Sequence, residues 1–302
     1  MKTAIGVDIG GTNLTAGLVR EDGRLLNIAR EDTPSGGEEA LALLLEMVGD
    51  IYCTTKAQAS QPVGIGLSFG GPVDFAAQAI VRSHHVEGWQ PGLKLAERFA
   101  AEFNVPAVVD NDANCGGLGE AVFGAAKGYS SALYVNIGTG IGGAIILNGR
   151  VHHGAHSTAG EIGHSIVLSG GPLCTCDKLG CLEALSSGSA IGREGRAAGL
   201  GEAITGKEVG QRAQEGDAVA VRVVEHAGRW LGVALGNAVN LFDPQIIVLG
   251  GGVPALGDLY LEPAREAFRA TVMPAAINTP IVAAQLGYEA GVVGAAAMIY
   301  GS

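Results

Sequence analysis

The sequence predicts an α/β protein of two similar lobes facing one cleft. The first observation is an internal echo. A strand, a turn of glycine and threonine, a second strand and a hairpin occupy residues 3–29, and the same succession returns at 132–149. Repetition about one lobe apart marks a duplicated architecture. The second is the alternation of short apolar strands with helical patterns along the rest of the chain. The third is composition: 49 glycines, 16% charged residues and 47% hydrophobic residues fit a tightly packed α/β enzyme with glycine-lined ligand loops.

Taken in order, residues 3–8 and 13–20 read as buried strands joined by Ile9-Gly-Gly-Thr12. Asp22-Gly23 turns the chain into a third strand at 25–29. Leucines at helical spacing predict a helix over 37–53. A strand follows at 63–68, ending in Phe69-Gly-Gly-Pro-Val-Asp74, then an amphipathic helix at 93–103 and a strand at 106–109 that runs into Asp110-Asn-Asp112. Residues 113–127 keep a helical period despite Gly116 and Gly117. The echo then supplies strands at 132–137 and 144–147, with Asn148-Gly149 as the hairpin turn. Helices are expected at 189–198, 207–214, 217–241, 261–271 and 290–300, and strands at 246–249 and 280–284. Pro/Ser-rich linkers are absent, so the lobe boundary is expected to be a hinge, not a tether.

A chain of 302 residues is long enough for two compact lobes. The net charge of −11 argues against nucleic acid or an anionic membrane as the main partner, while leaving room for a local phosphate site. Every apolar run is interrupted by glycine or charge, so no membrane span is expected. Met1-Lys-Thr leads directly into the first strand, which predicts no secretory leader. Of five cysteines, three suit a metal site described below, and Cys53 and Cys115 have no local pairing pattern, which points to the reducing cytoplasm.

The densest chemistry lies between Gly160 and Glu183. His164, Cys174, Cys176 and Cys181 place one imidazole and three thiols in a segment too short for a core of its own. That donor set suits tetrahedral Zn²⁺, and four protein ligands make a closed, structural site. The alternative is three buried free thiols beside an unrelated histidine. Glu161 and Glu183 flank the ligands, so a metal that fixes the loop also fixes two carboxylates suited to a polyhydroxylated ligand.

Asp8-Ile-Gly10-Gly11-Thr12-Asn13 offers clustered backbone amides, a hydroxyl and a carboxylate, the parts of a phosphate turn with Mg²⁺ oriented through Asp8. An ordinary glycine hairpin is the alternative. Gly138-Thr139-Gly140-Ile-Gly-Gly143 matches G-x-G-x-x-G, but a dinucleotide fingerprint needs a helix next, and here a strand follows. The expected phosphate site is therefore of a two-turn kind, one hairpin from each lobe. Asp110-Asn111-Asp112 at a strand end can supply a carboxylate that takes a hydroxyl proton during attack on a γ-phosphoryl group. The competing role is an Asp N-cap, to which Asp110 is the better suited of the two aspartates. Gly250-Gly251-Gly252 after a strand suits the floor of a nucleoside site or a bare sharp turn. The His84-His85 and His152-His153 pairs read as surface residues, and Trp89 as a core aromatic or a cover for a sugar face.

Together these motifs, with Gly71-Pro-Val-Asp74, Asn111-Asp-Ala-Asn114 and Gly160-Glu-Ile-Gly-His164, resemble in order and over nearly the whole chain the ROK family of sugar kinases and repressors. The resemblance implies the actin-like ATPase (ribonuclease H-like) fold. Its lobes would be 1–115, joined by the C-terminal helix 290–302, and 116–289 with the zinc loop. It implies Asp112 as catalytic base, and Gly71, His85, Asn111, Glu161, His164 and Glu183 at the sugar. Asp8, Gly10, Gly11, Thr12, Asn13, Gly138, Thr139, Gly250 and Gly251 would hold ATP. The family is commonly dimeric or tetrameric. This chain departs from it at Asp177, where glycine often follows the second zinc cysteine, and at His85, where an asparagine often contacts the sugar.

The activity implied is ATP-dependent phosphorylation of a hexose 6-hydroxyl, most plainly that of glucose. N-acetylmannosamine, N-acetylglucosamine and fructose are the alternative substrates. A non-catalytic, sugar-responsive repressor is the alternative of another class. Repressors of the family carry a helix-turn-helix ahead of the lobes, and a first strand at residue 3 leads one to expect none here.

Overall fold

The computed structural model describes residues 1–57, 61–82 and 88–301. The chain forms two compact units, residues 1–134, 144–160 and 284–302 making the first and 135–143 and 161–283 the second.

The first unit opens with the meander β1 (Thr3–Ile9), β2 (Asn13–Arg20) and β3 (Leu25–Asp32), followed by α1 (Gly37–Ala57). β4 (Ile65–Phe69) leads to a small hairpin of β5 (Val73–Asp74) and β6 (Ala79–Ile80). Then come α2 (Leu95–Phe103), β7 (Ala107–Asn111) and α3 (Asp112–Val122). The sheet order is β3-β2-β1-β4-β7, antiparallel within the meander and parallel from β1 through β4 to β7. One face is covered by α1 and α2, with Ile5, Val7, Leu44, Val48, Ile65, Leu67 and Phe99 at the centre of the core. Strands covered on both faces are buried almost throughout, and β1 and β4 alternate large apolar residues in this core with small ones, Gly6 and Gly66, on the opposite face.

The other face is covered by the last helix, α9 (Ala290–Tyr300), through Ala4, Val19, Val292, Val293 and Ala296. Glycine makes this possible. A Cβ at Gly6 would fall 1.9 Å from the Val292 carbonyl oxygen, and one at Gly66 1.8 Å from that of Ala295. The helix backbone thus rests directly on the sheet. α3 packs on the same helix and belongs to the first unit, which extends past residue 115, where the sequence suggested a boundary.

α3 ends at Val122 and not near residue 127. Glu120, fully buried, accepts the Ala125 N–H on Oε2 at 2.7 Å and the Leu286 N–H on Oε1 at 2.8 Å. A side-chain acceptor of that kind competes with the next helical hydrogen bond and stops the helix.

β8 (Ser131–Ile137), β9 (Ile141–Leu147) and β10 (Arg150–Val151) begin a second sheet, order β10-β9-β8-β11-β12, with β8 and β9 continuing from one unit into the other. The second unit holds α4 (Glu183–Ser186), α5 (Gly188–Ala197), α6 (Gly206–Gln214) and the long α7 (Ala218–Phe242). β11 (Ile246–Gly250), α8 (Asp258–Thr271) and β12 (Ile281–Ala283) complete it. α7 and α8 pack closely because Gly228 and Gly232 face the Tyr260 and Ala264 carbonyls. Among the described residues no helix is long and apolar enough to cross a membrane.

Candidate active site

In the first unit, sheet register sets the site. Asp8 on β1 pairs with Ser68 on β4, and Ser68 with Asp110 on β7, so three parallel strands end side by side. Their carboxyl ends carry the Gly10–Asn13 turn, Gly70-Gly71 and Asn111-Asp112. This is the edge where parallel α/β sheets bind ligands.

Asp8 is half-buried as a residue, but its carboxyl is enclosed: Ser68 Oγ donates to Oδ1 at 2.6 Å, and a Cβ at Gly291 on α9 would fall 2.6 Å from the carboxyl carbon. Burial raises its pKa, against the lowering effects of the Ser68 hydrogen bond and the Arg30 charge. The turn beside it is closed by main chain: Gly10 N–H to Asn13 O at 3.1 Å, Thr33 N–H to Thr12 O at 2.9 Å and Gly70 N–H to Ile9 O at 3.0 Å. Thr33 Oγ1 adds a bond to Gly10 O at 2.8 Å. Gly11, Thr12 and Asn13 are exposed.

The helix cap corrects the sequence expectation. Asn111, not Asp110, is the N-cap of α3, accepting from the Ala113 N–H at 2.9 Å and the Asn114 N–H at 3.4 Å. β7 runs through Asn111, so Asp110 is still in the strand when the helix begins. The Asn111 amide nitrogen donates to Gly71 O at 3.1 Å, leaving one of its two N–H donors for a ligand. Asp112 is exposed in the first turn of α3, with Oδ1 accepting the Ala113 N–H at 2.9 Å.

Asp110 is the buried member of the trio, with its side chain 2% exposed, and it meets a histidine that sequence reading placed at the surface. His153 Nε2 lies 2.6 Å from Asp110 Oδ2, and its ring stacks on Phe75 with centroids 3.7 Å apart. No local pattern announces a pair separated by more than forty residues. Gln78 was missed for the same reason. Its amide takes both the N–H (2.9 Å) and the C=O (3.3 Å) of Val109, replacing a neighbour strand at the free edge of β7.

In the second unit, His164 closes a short 3-10 turn, and His164, Cys174, Cys176 and Cys181 converge with ligand atoms all within 4.8 Å of one another. Cys176 and Cys181 sulfurs are 3.6 Å apart, as are Cys174 Sγ and His164 Nδ1. A tetrahedral ion with Zn–S near ~2.3 Å separates its ligand atoms by about 3.7 Å, whereas a disulfide holds sulfurs at about 2.05 Å. The residues fit zinc.

The loop needs a left-handed residue after its second cysteine, and Asp177 sits there at φ +63°. That conformation favours glycine and admits aspartate at a small cost.

The second glycine turn is tied to this loop. Gly138 N–H bonds Gly140 O at 3.0 Å, while Gly188 and Ser189, opening α5, donate to the Gly138 and Thr139 carbonyls at 2.8 and 3.2 Å. Glu183 Oε2 accepts the Ile141 N–H at 2.9 Å, and its Oε1 accepts Thr175 Oγ1 at 2.9 Å. Gly163 lies so close that a Cβ would be 2.0 Å from the Ile141 carbonyl oxygen. Glu161 is exposed as a residue, yet desolvation of its carboxyl raises its pKa, with His164 lowering it and Glu183 raising it. Gly250-Gly251 joins the same group: Gly251, at φ +86°, sits where a Cβ would be 2.3 Å from the Ile137 carbonyl oxygen.

Of the remaining sequence candidates, Trp89 is a core aromatic, 6% exposed and edge-on to Phe69. His84 and His85 lie outside the described residues.

A family model described as the ROK family matches residues 4–301. A glucokinase of Halalkalibacterium halodurans is 33% identical over 309 residues, covering 96% of this chain and 92% of the relative. The crystal structure of a ROK hexokinase from Thermus thermophilus superposes with a TM-score of 0.88 at 36% identity, over 99% of this chain and 98% of that one. A ROK family glucokinase from Streptomyces griseus, in complex with glucose and AMPPNP, gives 0.83 at 33% identity, over 99% of this chain and all of that one.

Proposed function

The chain belongs to the ROK family, and on that premise we propose that it is an ATP-dependent hexose kinase that phosphorylates the 6-hydroxyl of glucose. The observation that carries the reading is the shared strand edge in the first unit, where a phosphate-type turn, Gly71 and Asp112 emerge from adjacent parallel strands.

Asp112 acts as the general base. A carboxylate in the first turn of a helix is held by the local dipole and kept accessible to the hydroxyl it deprotonates. Asn111 and Gly71 orient the sugar beside it. Glu161 and Glu183 accept further sugar hydroxyls; Glu183 has lone pairs to spare after bonding Ile141 and Thr175. His164 turns Nδ1 towards Cys174, which leaves Nε2 for a sugar hydroxyl. By its position in the sequence, where the family often has an asparagine, His85 would be a further sugar contact.

By resemblance to the family, Gly10, Gly11, Thr12, Asn13, Gly138 and Thr139 would serve the ATP phosphates, and Gly250-Gly251 the adenosine. Mg²⁺ would be oriented by Asp8 and would neutralise charge on the phosphates. Zn²⁺, held by His164, Cys174, Cys176 and Cys181, is structural: it fixes the carboxylate-bearing loop and takes no part in the chemistry. The enzyme works in the cytoplasm as a homodimer or homotetramer.

The test is ADP release with a panel of glucose, N-acetylmannosamine, N-acetylglucosamine and fructose, beside a promoter-DNA gel shift. Glucose is expected to give the highest kcat/KM and DNA no shift. A higher kcat/KM for an amino sugar or fructose would reassign the substrate, and DNA binding without sugar phosphorylation would replace the kinase with a repressor.

A further inference from the structure

We propose that His153 is a positioning residue for phosphoryl transfer, acting through Asp110 on the segment that carries the base, Asp112; this rests on the kinase reading above. Asp110 is almost fully buried, and a carboxylate so placed needs donors for both oxygens. Oδ1 accepts the Asn111 N–H at 2.7 Å and the Asn114 side-chain N–H at 2.8 Å, so it grips the chain on either side of Asp112. Oδ2 is held by His153 Nε2 at 2.6 Å.

The imidazole is itself aimed. Its ring lies nearly parallel to Phe75, with an interplanar angle of 11°. The Phe75 N–H donates to Ser157 Oγ at 3.1 Å, and the Ala159 N–H to His153 O at 3.2 Å. Residues 153–159 are thereby pinned to the loop after β5. The chain of contacts runs from a stacked ring through one carboxylate to the first turn of α3, all within the first unit.

Neither His153 nor Asp110 is among the residues assigned to sugar or ATP, so their effect should fall on the chemical step. Displacing a reacting group by about 1 Å can cost up to about 100-fold in rate. His153→Phe keeps an aromatic ring on Phe75 and removes the donor. His153→Gln places a side-chain N–H near the position of Nε2 and removes the stacked ring.

The experiment assays wild type, D112N, H153F, H153Q and D110N together for glucose phosphorylation and thermal melting. H153F is expected to lower kcat about 10–100-fold with KM for ATP and melting temperature unchanged, and H153Q to recover most of kcat. D110N should lose the same factor, and the D110N/H153F double variant should lose no more than either single one. If H153F does not fold, D110N with H153Q carries the comparison. Wild-type kcat in H153F, equal damage in H153F and H153Q, or losses that merely track melting temperature would overturn the role of His153. Failure of the kinase reading is separate: it shows as wild type turning over no glucose, whereas D112N turning over glucose like wild type would remove only the assignment of Asp112 as base.

Discussion

The two glycine turns look alike in sequence but are held by different means. The Gly10–Asn13 turn is braced by its own sheet: three main-chain bonds and one threonine hydroxyl close it. The Gly138–Gly143 turn leans on the start of α5 and on Glu183, whose other oxygen is tied to Thr175 between two cysteine ligands. The first is as ordered as the strands that carry it. The second inherits order from a loop in which His164, Cys174, Cys176 and Cys181 converge in a set that could hold a metal ion. Similar glycine motifs therefore answer differently to the same perturbation.

The largest effect should come from the metal. Removing zinc by chelation, or replacing a ligand with C181S, is expected to abolish sugar binding and phosphorylation, because a structural zinc site supplies folding energy to its own loop. Amide exchange should rise at 138–143 and stay unchanged at 10–13. Equal loosening of both turns, or full activity in metal-free protein, would erase the distinction.

T175V sharpens it. Losing one hydrogen bond to the Glu183 carboxylate, worth roughly 1.5 kcal/mol, should lower kcat/KM about 10-fold with the metal content intact. An unchanged kcat/KM would remove Thr175 from the link.

D8N probes the other turn through stability. Burial raises the Asp8 carboxyl above its ordinary 3.8, so the folded state takes up a proton more readily than the unfolded chain. Its favourable contribution is complete below pH 3.8 and is lost as pH rises through the folded value. At neutral pH the buried charge opposes folding. D8N, which can still accept from Ser68, should melt higher than wild type at pH 7, with the gap narrowing in acid. A lower melting temperature at pH 7 would contradict the burial argument.

The smallest effect belongs to Asp177. D177G removes a left-handed aspartate but loosens the unfolded chain, so stability should move by less than about 1 kcal/mol. D177V, with a β-branched side chain at φ +63°, should be measurably worse by the same denaturation assay.

Much of this was legible in the sequence. The strands, the glycine turns and the Cys/His cluster follow from local periodicity and spacing, which are properties of neighbouring residues. The first turn of α3 was read one residue early, because an aspartate and an asparagine cap equally well and only the end of β7 decides between them. The pairing of His153 with Asp110, the Gln78 clasp on β7 and the Glu183–Ile141 bond were not legible at all. Each joins side chains or amides far apart in the chain, where no period links the partners.

One measurement bears most directly on the assignment of Asp112 as the base: turnover of glucose by D112N, with sugar affinity determined in parallel by calorimetry. A carboxylate that serves as general base is expected to leave sugar affinity unchanged when replaced and to lower kcat by roughly two to four orders of magnitude. Full turnover in D112N would contradict it.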